Sequence, residues 1–191
     1  MMASLILIKH SVPEMLPGVP ANQWRLSAEG RERCNTLSEA LRPYAPDMVV
    51  SSIEAKAVET GQIVAQNLSK PFRSFDGLHE HERGGVDFTS QEQFRANVQA
   101  FFQAPNELVF GRETASQTRQ RFSDAIAALL NQYPDKNLAV ATHGTVITLF
   151  AAQAVGVEPF AFWKKLGLPA FVVFSIPGLE LVNVTEKVAA N

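Results

Sequence analysis

Several features that would define a chain by themselves are scarce in this one. One of its 191 residues is cysteine, Cys34, so neither an internal disulfide nor a cysteine-rich zinc site is available. An excess of one charge is also missing: 17 Lys+Arg against 19 Asp+Glu leave a formal net charge of −2. Nucleic acid or an anionic membrane needs a basic surface, and this balance argues against both as partners. Long hydrophobic runs are absent as well. Leu5-Ile6-Leu7-Ile8 is too short for a signal-peptide core and has no basic residue before it. The stretch from Val146 to Val157 is broken by Thr148, Gln153 and Gly156 and falls short of a bilayer span. A soluble, cytoplasmic protein is the expectation, and no repeat or low-complexity segment complicates it.

What is present is a chain that is 46% hydrophobic, which excludes general disorder and is enough to bury a core. Leu5–Ile8, Asp47–Ser51 and Leu138–Ala141 are short continuous apolar runs of the kind buried on both faces of a sheet. Between them lie helical patterns. Ser27 stands as an N-cap before Cys34, Leu37 and Leu41, and Ala57, Gly61, Val64, Ala65 and Leu68 form an apolar stripe. Thr114 to Gln117 fits a capping box, opening a helix with Thr118, Phe122, Ala125, Ile126 and Leu129 on one face. A further helix starts at Gly144. Phe171–Phe174 and Leu179–Val184 read as strands joined at Pro177-Gly178. This alternation predicts a single domain over residues 1–191. Its fold is a three-layer α/β/α sandwich on a mostly parallel sheet, with an antiparallel edge strand and a small helical insertion at about 78–112.

Ligands of open α/β sheets bind beyond the carboxyl ends of the strands. Three such ends are readable: Lys9-His10-Ser11, Ser51-Ser52 and Thr142-His143-Gly144. Two of only four histidines therefore occupy equivalent places on different strands, which points to a shared site. Lys9 adjoins His10, Lys56 and Thr60 share a helix face four residues apart, and Gly144 opens a helix whose amides attract anions. Two lysines, a hydroxyl, two histidines and a helix N-terminus suit a phosphoryl group.

With these residues in view, the sequence resembles the histidine phosphatase superfamily, which includes the cofactor-dependent phosphoglycerate mutases. Leu-Ile-Leu-Ile-Lys9-His10-Ser11 stands where the family has a strand and Arg-His-Gly, and Leu26-Ser27-Ala-Glu-Gly30 matches its next helix start. Ser51-Ser52-Ile-Glu-Ala-Lys56-Ala57-Val-Glu-Thr60 matches Ser-Ser-x-x-x-Arg-Ala-x-x-Thr, and Leu78-His79-Glu80-His81-Glu82-Arg83-Gly84 matches Leu-x-Glu-x-x-x-Gly. Gly111-Arg112-Glu113-Thr114 resembles a Gly-Glu-Ser/Thr helix start, and Thr142-His143-Gly144 closes the set. Each motif is weak by itself; their order and spacing are specific.

The resemblance implies a metal-independent phosphomonoesterase that needs no cofactor and acts on a small phosphorylated substrate. His10 would be the nucleophile, His143 a phosphoryl ligand, and Glu80 the general acid and base. Lys9 and Lys56 stand where the family has two phosphate-clamping arginines, with Ser11 and Gly144 completing the phosphate contacts. Three departures stand out: both arginines are lysines, the glycine after the nucleophile is Ser11, and a first-loop asparagine is Leu16. Lysine keeps the charge but not the planar fork. The alternatives are phosphoglycerate mutase-type transfer and a weakly active or non-catalytic phosphate-binding regulatory protein.

Some residues carry rival readings. Glu82 competes with Glu80 for the acid role. Alternation would let His79 and His81 ligate zinc from one face, although no further ligand cluster accompanies them. Trp24 either touches substrate or anchors the proline-rich loop. Phe88, Phe94, Phe101, Phe102 and Phe110 either form a lid or pack the insertion. The C-terminal hairpin leaves monomer and homodimer open.

Overall fold

The computed structural model describes residues 3–84 and 90–189. In chain order its elements begin with β1 (Ala3–Lys9), α1 (Ala28–Leu41), β2 (Met48–Ser51), α2 (Ala55–Leu68) and β3 (Phe72–Ser74). Then come α3 (Gln91–Gln103), α4 (Ala115–Gln132), β4 (Leu138–Thr142), α5 (Gly144–Val155), α6 (Pro159–Lys165), β5 (Ala170–Ile176) and β6 (Leu181–Thr185). The six strands form one sheet in the order β3-β2-β4-β1-β5-β6. β1, β2, β3 and β4 run parallel, β5 runs antiparallel to β1, and β6 returns antiparallel to β5 at the edge.

The period of two along each strand divides the core in two. Leu5, Leu7, Val50, Leu138 and Val140 face one side, where Phe122, Ile126 and Leu129 of α4 and Ile147 and Phe150 of α5 cover them. Ile6, Ile8, Val49 and Ala139 face the other, under Leu37 and Leu41 of α1 and Val64 and Leu68 of α2. Each fully buried leucine or isoleucine contributes roughly 1.5–3 kcal/mol. The central runs Leu5–Ile8, Met48–Val50 and Leu138–Ala141 are therefore apolar at successive positions because both faces are covered.

The expected caps form: the Ser27 side chain accepts from the Gly30 amide, and Thr114 and Gln117 make the reciprocal capping box. Gly30 has a second reason to be glycine. A Cβ there would lie 2.1 Å from the Val12 carbonyl oxygen, so the loop after β1 rests directly on the helix backbone.

Two elements lie outside the sequence reading. β3 is three residues long and pairs only with β2, too brief to show a period. α6 has seven residues, Pro159 in its first turn and two amides capped by Glu158. The insertion contains α3, whose Val98, Phe101 and Phe102 pack with Ala115 and Leu149, with Phe94, Phe110, Phe160 and Trp163 against them. The phenylalanines there form a core; Phe88 lies outside the described residues. No described helix is long and apolar enough to cross a membrane.

Candidate active site

Three parallel strands deliver the site. The sheet ladder continues one residue past each strand end: the His10 amide donates to Thr142 O (3.0 Å) and the Ser52 amide to Ala141 O (2.9 Å). His10 and Ser52 are thus held with strand precision, and His143 is fixed as the N-cap of α5. β1 and β4 are neighbours, which brings the His10 and His143 rings edge to face with centroids 5.2 Å apart. Both residues are buried, at 8% and 0% exposure.

His10 Nδ1 lies 2.8 Å from the Ser11 carbonyl oxygen. A carbonyl only accepts, so Nδ1 carries the proton and Nε2 keeps its lone pair. Burial, then the neighbouring His143 and Lys56, push the His10 pKa well below its ordinary value. Burial and Lys56 do the same to His143. Both rings are neutral near pH 7, as a nucleophilic imidazole must be. The His143 Nε2 pairs with the Ser52 hydroxyl at 2.7 Å.

Glu80 reaches the site from the loop after β3. Its carboxylate accepts from the Thr145 amide in the first turn of α5 (3.2 Å), from Arg83 (3.3 Å) and from the His81 amide (3.0 Å). Burial would raise its pKa, but Arg83 and the donors around it outweigh burial and hold it below the ordinary carboxylate value. The segment is anchored from behind by Arg121 of α4, which donates to Gly77 O, His79 O and Glu80 O and pairs with Glu113. His81 packs between Phe101 and Phe110, ring centroids 4.2 and 4.7 Å away, so its ring belongs to the core of the insertion.

The two lysines differ. Lys9 lies along Gly144, where a Cβ would meet its side chain at 3.1 Å, and its ammonium donates to Leu166 O at 2.5 Å. Burial lowers its pKa to about 8 against the opposing pull of Glu80. Lys56 is bound by Glu54 at 2.5 Å and by Ala21 O at 2.7 Å, with both side chains of the ion pair about 90% buried. Burial pushes the Glu54 carboxyl up, Lys56 and the Glu80 amide pull it down, and the net shift is downward. Glu54 Oε1 accepts from the Glu80 amide at 2.9 Å and stands 3.6 Å from His143 Nε2. A carboxylate thus sits among the donors expected for a phosphoryl group.

His10, His143, Glu80, Lys9, Lys56 and the Gly144 end of α5 converge; other expected residues do not. Ser11 turns away from the crevice, its hydroxyl donating to Gly30 O at 2.7 Å and its amide to the Thr60 hydroxyl at 3.0 Å. Thr60 in turn donates to Lys56 O, so the pair fastens the first loop to α1 and α2 and offers phosphate nothing. Glu82 is half-exposed beside His79 at 3.5 Å, whereas Glu80 is buried against the first turn of α5. Trp24 anchors its own loop by donating to Val19 O.

Of the zinc pair, His81 instead packs between Phe101 and Phe110 with its Nε2 3.1 Å from Glu113 O. His79, Glu82 and Glu113 do place one ligand atom each within 4.8 Å of one another. Arg121 and Thr118 already occupy both Glu113 oxygens, which makes that group an ion-pair network. Cys34 is buried, and burial raises its thiol pKa to about 11.

Sequence reasoning missed Glu54 and Arg83. An acid two residues before Lys56 and a base three after Glu80 were available signals. Both were read as spacers within motifs.

The Lys9 pKa sets a pH limit on anion binding. The ammonium is charged below about pH 8 and neutral above it. Affinity for vanadate is expected to fall by up to about tenfold per pH unit above that point, and Lys9→Arg to remove this limb because guanidinium stays charged. Vanadate inhibition measured from pH 6 to 10 checks both; a wild-type limb identical to that of Lys9→Arg contradicts the assignment.

The family model for the histidine phosphatase superfamily (branch 1) matches residues 18–176. A Bacillus subtilis protein named uncharacterized phosphatase PhoE is 22% identical over 70% of this chain, and the match spans 66% of that protein. Phosphoserine phosphatase from Entamoeba histolytica, solved with phosphoserine, superposes with a TM-score of 0.78 at 20% identity, over 96% of this chain and 97% of that one. Mycobacterial glucosyl-3-phosphoglycerate phosphatase gives 0.73 at 19% identity, over 92% and 91%. At these identities the solved structures establish the fold.

Proposed function

The chain belongs to the histidine phosphatase superfamily, and from that premise we propose that it hydrolyses a small phosphomonoester through a phosphohistidine on His10, without a metal ion. The observation that carries this reading is the His10 ring, whose Nδ1 is pinned to a carbonyl so that Nε2 is the nucleophilic nitrogen. In the first step Nε2 attacks phosphorus, the bond to the leaving oxygen breaks, and that oxygen takes a proton from Glu80. In the second, Glu80 takes a proton from water, the water oxygen attacks phosphorus, the N–P bond breaks to free His10, and Glu80 returns that proton to the departing phosphate. Lys9, His143 and the α5 amides balance the charge on the equatorial oxygens. Glu80 begins ionised, so a monoanionic phosphate ester supplies the proton that Glu80 passes to the leaving group.

The test is p-nitrophenyl phosphate turnover in EDTA, with rapid acid-free denaturation to trap the enzyme. Phosphate release together with a base-stable, acid-labile phosphoenzyme is expected. Release without that intermediate overturns the mechanism.

One observation favours a second reading. Glu54 already pairs with Lys56 where the phosphoryl group would sit, as suits a protein that binds phosphate weakly and turns it over slowly. Phosphate binding with no turnover would select that reading. Formation of 2-phosphoglycerate from 3-phosphoglycerate, followed by a coupled assay, would instead indicate mutase-type transfer.

A further inference from the structure

Gripping a phosphoryl group calls for a planar fork of donors, and neither Lys9 nor Lys56 has one. Lys56 is in addition spent: Glu54 and Ala21 O take two of its three donors, and the carboxylate cancels its charge. Lys9 gives one donor to Leu166 O and remains a point charge. A doubly charged ligand entering between His10 and His143 would therefore lack a bidentate partner if it relied on these two.

Arg83 is placed to supply it. Its loop follows Glu80, and one terminal nitrogen lies 3.3 Å from Glu80 Oε2 and 3.3 Å from the Thr145 hydroxyl, in the first turn of α5. Both contacts are long for a charged donor. Its Nε is buried and has no hydrogen-bond partner among the described residues. The guanidinium carbon sits 4.8 Å from the Phe94 ring centroid, which braces the plane. Its charge acts on Lys9, Glu80 and His143, so it belongs to the same crevice. An Arg side chain has five donors, and most of these are uncommitted.

The geometry points to Arg83 as the phosphoryl-binding guanidinium of this site, delivered by the acid-bearing loop and replacing the forks that Lys9 and Lys56 lack. This rests on the phosphatase reading, and the substrate it implies is a phosphate ester dianion or monoanion met by Lys9 and Arg83 from the α5 side. On binding, Arg83 exchanges its long contacts with Glu80 and Thr145 for phosphoryl oxygens, which also frees Glu80 to take a proton.

The competing role is structural, with Arg83 only holding Glu80 through the ion pair three residues apart. Vanadate inhibition, p-nitrophenyl phosphate kinetics and pH profiles of wild type, Arg83→Gln and Arg83→Lys separate the two, with thermal melts confirming folded protein. Losing a charge-assisted fork predicts that Arg83→Gln weakens vanadate and lowers kcat/KM by about tenfold to hundredfold. Arg83→Lys should recover only part of either, and added guanidinium ion should restore turnover to Arg83→Ala.

Vanadate affinity within about threefold of wild type in Arg83→Gln overturns the proposal, and a shifted pH profile alongside it assigns the positioning role. Wild-type turnover with a trapped phosphoenzyme in that case leaves the phosphatase reading standing. Vanadate binding that depends on Arg83 in a wild type without turnover does the reverse. A wild type that binds no vanadate sinks both.

Discussion

His10→Ala is expected to abolish phosphate release, with kcat falling by about 10^4-fold or more while the protein stays folded. The size follows from what the ring does. His10 is the group that forms a covalent bond, and its nearest substitute, His143, has its Nε2 tied to Ser52 at 2.7 Å. Water would have to attack in line from the volume the ring vacates, without a base beside it. The same substitution should spare much of the anion affinity, since Lys9, Arg83 and the α5 amides are untouched. Steady-state kinetics paired with vanadate titration of the variant check both halves. Retained turnover would overturn the nucleophile assignment, whatever happened to binding. The fold should tolerate the change because the backbone of His10 is held by the hydrogen bond its amide donates to Thr142 O, independently of the side chain.

The second large effect is expected at Arg121, which touches none of the reacting atoms. It makes five hydrogen bonds: two to the Glu113 carboxylate and one each to the carbonyls of Gly77, His79 and Glu80. Burial would raise the Glu113 pKa, but Arg121 and Thr118 hold it below the ordinary value. Arg121→Met keeps the apolar stem of the side chain while leaving Glu113 with Thr118 as its remaining donor and three carbonyls without Arg121. Breaking a largely buried pair costs about 3–5 kcal/mol. For a chain of this size that corresponds to a melting temperature about 10 °C lower.

Arg121→Met should also unseat the loop that presents Glu80 and Arg83, lowering kcat more than it raises KM. Arg121→Lys retains charge without the fork and should fall between. A melt unchanged within about 2 °C would show that the loop is held by something else. Loss of stability with kcat intact would show that Arg121 is a fold residue alone.

Much of the fold is legible because its central strands are buried on both faces, and so read as unbroken apolar runs. β1, β2 and β4 are of that kind; α1 and α4 show caps and stripes that local chemistry dictates, and α2 shows a stripe. β3 and α6 are not legible in this way; they are short, and their form depends on neighbours. At the site, His10 and His143 are readable because a strand end fixes where the next residue goes. Loop residues follow a different logic. Ser11 adjoins the nucleophile yet turns to Gly30 O, because the loop after β1 lies on the glycine of α1. Glu54 and Glu80 are 26 positions apart and meet through a backbone amide, a contact that no local pattern encodes. Arg83 stood in plain view within a matched motif; its direction, set by Phe94 and Thr145, was what the sequence withheld.

The buried pair of Glu54 and Lys56 also constrains how this site can change over generations. Substituting either partner alone by a neutral residue leaves the other as an uncompensated charge in a place that is about 90% buried. Only another cation at position 56 keeps Glu54 compensated, so an exchange of Lys56 for arginine is open to this site while a neutral residue there is not, unless position 54 changes with it. The two positions form one heritable unit, and the Glu80 amide, which donates to Glu54, ties the loop carrying Arg83 to it.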